Sequence, residues 1–351
     1  MASKGSADDL GLRAIRAIHQ RAMIDEQWTL WEERGFSWWG HRLRQHIWAE
    51  PGVESEGFEI FRICAQTDCL CEVEITDKLL GALGLIAREA TVAAPVLDPD
   101  SRTLSLFSCI YVHEEIFNWA VHNLFVPSVL IQLVEAERMA EAGREVFETG
   151  TPDYSGHPSS GFRGKPDETL RLIDRVIRPV GEMTRRWRKC RELPRVAEIL
   201  NQTNCVASNG GGVLTAEFSF GNDTCLFQID ANAEHRVLGN GALVTLKLPI
   251  QWDFTTASHM AAGWNAVESL TCTFVSFLGS WAVEKLGPGF CPVFVSFSPS
   301  AVYGDGLALN LALMMASRAR WAAKWFNLPE TDVKDLFTKR LLEFLPPEGR
   351  A

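Results

Sequence analysis

Residues 91–113, TVAAPVLDPDSRTLSLFSCIYVH, read as two β-strands around a turn. Asp98-Pro99-Asp100-Ser101 is turn chemistry: proline presets the backbone torsion, and Asp and Ser side chains bond to their own backbone. Beyond it Leu104, Leu106, Ser108, Ile110 and Val112 alternate with Ser105, Phe107, Cys109 and Tyr111, the period of a strand. Upstream, residues 76–88 place Leu79, Leu80, Leu83 and Ile86 at helical spacing behind a capping Thr76 or Asp77. Downstream, residues 114–142 form a long helix. Pro127 should kink or divide it, because proline lacks the N–H and crowds the preceding turn.

The order helix, strand, turn, strand, long helix returns in the second half. Residues 256–270 are helical, residues 272–283 and 292–302 are strands around Leu286-Gly287-Pro288-Gly289, and a helix runs from Asp305 to about Phe326. A matching order in two segments of similar length predicts a duplication. Around these units, residues 14–34 read as a helix and residues 58–73 as a strand. In 36–49 Trp39, Leu43 and Ile47 suit a helix, but the alternation from Trp39 to Ala49 and the strand that follows favour a strand paired with 58–73. Residues 213–220, 225–231 and 242–251 read as three more. Residues 169–191 and 193–202 read as helices, and residues 330–345 as a last short one. Gly, Pro and Ser between residues 150 and 166 erase any periodicity there.

The expected fold is α+β, with two tandem lobes related by a pseudo-two-fold axis. Each lobe is a mainly antiparallel sheet packed with helices in the order α-β-β-(β)-α-β-β-α. Residues 10–143 would form the first lobe, 144–168 a flexible linker and 169–345 the second lobe. Since each lobe supplies the other's partner, a monomer with pseudo-dimeric lobes is expected.

With 351 residues, each half is long enough to bury its own core. The formal charge of −10 disfavours nucleic acid and anionic lipid as partners, because both reward a basic surface. The apolar stretches 117–134 and 260–283 are interrupted by His122, Asn123, Pro127 and Gln132, and by Asn265 and Glu268, so neither is expected to span a membrane. No basic segment followed by an apolar run opens the chain, and the nine cysteines show no CxxC spacing. Both features fit a cytoplasmic protein with reduced thiols.

Motifs for catalysis are sparse. His113-Glu114-Glu115 with His122 has a spacing of nine, where helical zinc sites place two histidines four apart, so a surface or structural role is expected. Ser208-Asn209-Gly210-Gly211-Gly212 precedes a strand, where a phosphate-binding loop needs a Lys, a Ser or Thr and a helix. It reads as a turn. There is no GxSxG and no catalytic cysteine signature. No enzyme activity, metal or cofactor is therefore expected. The basic run Arg185, Arg186, Trp187, Arg188 is the one concentrated positive stretch of an acidic chain, with Trp187 a possible anchor for an acidic partner. Trp321 and Trp325 share a face of the last long helix and are further candidates for partner contact.

The element order, above all residues 103–112 running into 114–142 and residues 292–302 running into 305–326, resembles the type III secretion chaperone-like superfamily. That group includes bacterial YbjN-type proteins and the two-lobed EspG-type chaperones of type VII secretion. The resemblance implies a sheet backed by helices, no catalytic residues, and a chaperone or adaptor that holds another protein, such as a secreted or effector polypeptide. The alternative is a small-ligand-binding protein or enzyme with its site between the lobes.

Overall fold

The computed structural model describes residues 9–55, 57–89, 91–173, 186–202, 205–271 and 275–326. The first lobe runs α1 (Leu10–Arg21), β1 (Thr29–Glu32), β2 (Gly35–Trp39), β3 (Arg44–Ala49), β4 (Val53–Ser55), β5 (Phe58–Cys71), α2 (Asp77–Ile86), β6 (Ala94–Asp98), β7 (Thr103–Val112) and α3 (Val126–Phe147). After β8 (Thr151–Pro152) and α4 (Glu168–Leu172), the second lobe runs α5 (Glu192–Asn201), β9 (Val206–Gly210), β10 (Val213–Phe220), β11 (Asp223–Asp230), β12 (Glu234–His235), β13 (Gly239–Lys247), α6 (Phe254–Leu270), β14 (Ser280–Leu286), β15 (Gly289–Pro299) and α7 (Leu307–Phe326).

The first sheet has the order β1-β2-β3-β5-β7-β6 and the second β9-β10-β11-β13-β15-β14. Every pairing in both is antiparallel. Matching β1 with β9 and proceeding along the chain turns one order into the other. The duplication is therefore one of whole lobes, α-β-β-β-β-α-β-β-α in each, with β4, β8 and β12 as short additions. This corrects the strand count at three places. Residues 14–34 are not one helix: α1 ends at Arg21, Met23 adopts a positive φ of 52°, and Asp25 caps a short turn that leads into β1. Residues 36–49 divide into β2 and β3. The strand β9 starts at Val206, over residues read as leading into a turn.

The lobes are related by the expected pseudo-two-fold axis, and the register fixes it to the residue. Ala94 pairs with Phe107 and Ser280 with Val295. Three residues before Ala94 and Ser280 stand Thr91 and Phe277; two after Phe107 and Val295 stand Cys109 and Phe297. Those are the residues that bond across the junction. Cys109 and Phe277 exchange N–H···O bonds of 3.1 and 2.8 Å, and Phe297 N–H donates to Thr91 O at 3.0 Å. Equivalent residues thus meet in reciprocal pairs, as in an isologous dimer. Helices α2 and α6 pack on one another, α6 lies on β6, and α2 lies on β14. Gly81 and Gly84 permit the approach: a Cβ on Gly84 would sit 2.9 Å from Val283 Cγ2 and one on Gly81 2.8 Å from the Phe254 ring.

Pro127 divides its helix as expected. It lies at the second residue of α3, directly after a wide π turn over Trp119–Phe125. The stretch 119–143 is long and apolar enough to cross a membrane by length and composition. In this fold one side of it faces the core, with Val129, Ile131, Leu133, Ala136 and Ala140 buried.

The 144–168 stretch, read as a flexible linker, packs along the first lobe. The strand β8 pairs with β5, Ser155 N–H donates to Arg42 O, and Asp167 N–H donates to Gly40 O. Arg163 bonds Asp167 at 2.8 Å and Asp25 at 3.2 Å and lies over the Trp28 ring, while His157 packs edge-on against Trp39. These contacts are made one residue at a time, so they leave no hydrophobic period in the sequence. The first lobe accordingly extends through Leu170, which joins its core. The final predicted helix, 330–345, lies outside the described residues, as does most of 169–191.

Candidate functional site

A cleft of about 470 Å³ opens where the lobes meet. Its apolar walls include Leu85 from the end of α2, and Met139, Val146 and Phe147 from the C-terminal half of α3. Leu85 and Val146 are 51% and 47% exposed at the rim. The second lobe closes one side with His235 at the end of β12 and with Arg236 and Val237, which lead to β13. Glu135 and Arg138 of α3 face the same space.

The second-lobe wall is tied to the first lobe through Glu89. The Glu89 carbonyl accepts a hydrogen bond from His235 Nε2 at 3.0 Å, and its carboxylate pairs with Arg236 at 2.8 Å. A carbonyl only accepts, so Nε2 carries the proton. Nδ1 then accepts from the N–H groups of Val237 and Leu238, both at 3.2 Å. The imidazole is held neutral, and burial lowers its pKa from the ordinary 6.5.

Glu135 is the cleft's most perturbed group. Burial pushes its carboxyl up to about 7, against the opposing effects of the Thr91 hydrogen bond and the Arg138 charge. Thr91 Oγ1 donates to Oε1 at 2.6 Å, and the Thr91 carbonyl is the one bonded across the junction by Phe297. The pKa is raised on folding, so the folded state binds the extra proton. The associated stability is complete below the ordinary value of 4.5 and is lost as pH rises through about 7. Glu135→Gln, which cannot ionise, is expected to melt with the wild type at pH 4 and about 2 °C or more above it at pH 8. Thermal unfolding at the two pH values checks this; an equal offset at both would show that ionisation is not the cause.

The residues singled out in the sequence lie elsewhere. Arg185 is outside the described residues. Arg186 is exposed, and Arg188 is exposed with Nη2 on Asn240 Oδ1 at 2.7 Å. Trp187 is 1% exposed and packs edge-on against Tyr303, so it is a core residue of the second lobe rather than a surface anchor. Trp321 and Trp325 are half-buried with ring centroids 5.7 Å apart, and Trp321 also meets Trp264. Of the stretch read as a turn, Ser208, Asn209 and Gly210 are strand, paired with β10, and only Gly211 and Gly212, both at positive φ, make the β9–β10 turn. His113 packs against Phe58 and His122 against Phe117. Among the described residues no group of three His, Cys, Asp or Glu is placed to hold a metal.

The sequence did carry a sign of the cleft. Glu135, Arg138, Met139, Ala142 and Val146 recur at the spacing of one helix face, mixing an acid and a base into an apolar stripe. The facing wall, 235–237, is about a hundred residues away and left no such sign. No family model, curated protein or solved structure matches the chain, so the cleft is interpreted on its own geometry.

Proposed function

We propose that this is a non-catalytic binding protein whose ligand, a small amphipathic molecule, seats in the cleft between the lobes. The observation that carries the reading is the cleft itself: apolar walls from the first lobe, Val237 and a few polar groups closing it from the second, and a volume in the usual ligand range. His235 does not serve as a general base there, because both its ring nitrogens are committed to backbone groups.

A second reading, an adaptor that holds a partner polypeptide, is supported by the outer sheet edge. The terminal strand β1 carries Leu30 and Trp31, each 43% exposed, and an open edge with apolar side chains suits an added strand. This reading goes with the resemblance to secretion chaperones, and the paired lobes support a monomer.

Thermal-shift measurements with a panel of small apolar ligands separate the two. Ligands that stabilise the wild type but not Val146→Asp support the cleft. A stabilising polypeptide that tolerates Val146→Asp and is lost on Trp31→Asp supports the edge. Equal shifts in wild type and Val146→Asp would reject the cleft as the small-ligand site.

A further inference from the structure

Resting on the cleft reading, we infer that the ligand is an apolar monocarboxylate of fatty-acid type, its carboxylate on Arg138 and its chain along Leu85, Met139, Val146 and Phe147.

The charges facing the cleft decide the sign of the ligand. They belong to Glu89, Glu135, Arg138, His235 and Arg236. Glu89 and Arg236 neutralise each other at 2.8 Å. His235 is neutral, its two nitrogens occupied. Thr91 holds one oxygen of Glu135, which is uncharged when protonated. Among the described residues Arg138 is exposed and no ion pair engages it, so with Glu135 protonated it is the uncompensated charge of the cleft. A planar guanidinium facing an apolar space matches a carboxylate, with two parallel N–H···O bonds.

Glu135 gives this recognition a pH dependence. An anion on Arg138, one helical turn from Glu135, repels the ionised carboxyl and favours the protonated one, which can also donate a hydrogen bond to it. The carboxyl titrates near 7 in the free protein, so affinity is expected to fall as pH rises through that value. The wall pinned by His235 and Arg236 keeps the site apolar and closed on one side.

The test uses the full chain and three probes with the same tail: decanoate, decanamide and decylamine, followed by isothermal titration calorimetry. Decanoate is expected to bind roughly tenfold or more tighter than decanamide, the difference made by one charge-assisted contact, with decylamine weakest. Arg138→Gln, a change at an exposed position, should reduce decanoate to the level of decanamide and leave decanamide unchanged. Decanoate should bind tighter at pH 6 than at pH 8, and Glu135→Gln should flatten that difference. Equal affinity for the three head groups would overturn the carboxylate assignment while leaving a ligand cleft. Binding by none of them would sink the cleft reading itself. An apolar peptide with a free C-terminus that displaces decanoate at lower concentration would overturn the fatty-acid class.

Discussion

Glu268→Ala is expected to lower the unfolding free energy by about 3–5 kcal/mol, the cost of leaving one charge of a buried pair without its partner. Glu268 on α6 and Arg318 on α7 are 2% and 1% exposed at their side chains. Arg318 Nη2 bonds Glu268 Oε2 at 2.6 Å, and Nε bonds Oε1 at 3.0 Å. Trp281 Nε1 adds a third donor to the carboxylate at 2.6 Å, and the guanidinium lies 3.8 Å from the centre of the Phe294 ring. Removing the carboxylate leaves a cation that cannot shed its proton and an indole N–H with no acceptor, in the centre of the second lobe. Against a typical total of about 5–15 kcal/mol, such a loss is a large share. Equilibrium urea unfolding measures it. The pair also makes a prediction about sign: Glu268→Leu combined with Arg318→Met should be less destabilised than Glu268→Ala, because the desolvation cost disappears along with the attraction. A double variant worse than the single one would show that the pair is net stabilising rather than merely costly to break.

Central strands were legible and edge strands were not, for a physical reason. The strands β7, β10 and β15 are bounded by turns and fill a core, so alternation or a continuous apolar run marks them. The burial of β1 is confined to Thr29, and four of the five residues of β9 are exposed. A strand that buries little has little hydrophobic period, and Trp28 and Trp31 fit a helical spacing as well as an extended one. The missed elements are the two ends that match under the duplication, and the first half looked one strand shorter than the second because residues 36–49 read as one strand where β2 and β3 stand. The packed segment 149–170 escaped for a related reason, its contacts being caps, single hydrogen bonds and ring contacts. As for the cleft, the face of α3 was readable, but its closure by His235 and Arg236 depends on how the second lobe docks. No local period encodes that. The basic run misled in the opposite direction: Trp187 was judged by its charged neighbours, whereas its own apolar ring is in the core.

Arg62 is where the two lobes are not equivalent, and its loss should weaken their union. By register Arg62 stands opposite Tyr111; the equivalent of Tyr111 is Pro299, whose partner is Gly241. The second lobe therefore has no matching side chain. The Arg62 side chain is 4% exposed. It reaches across the junction to donate to Glu268 O at 3.0 Å and Ser269 O at 2.8 Å, near the end of α6, and it pairs with Glu50 at 2.7 Å within its own lobe. The carbonyls at a helix C-terminus are unsatisfied within the helix and carry its negative end, so a buried cation there is doubly favoured. Arg62→Met keeps the apolar stem and removes the donors; it is expected to cost about 2–4 kcal/mol, mostly from the carbonyls left unbonded. Arg62→Lys should recover only part, since one ammonium does not reproduce the planar fork that spans both lobes. Urea unfolding of the three proteins, with protease susceptibility near residues 268–271 as a local readout, tests the assignment. If Arg62→Met stayed within about 0.5 kcal/mol of wild type, as for an ordinary surface change, the reciprocal backbone pairs and the α2–α6 packing would be holding the lobes together without it.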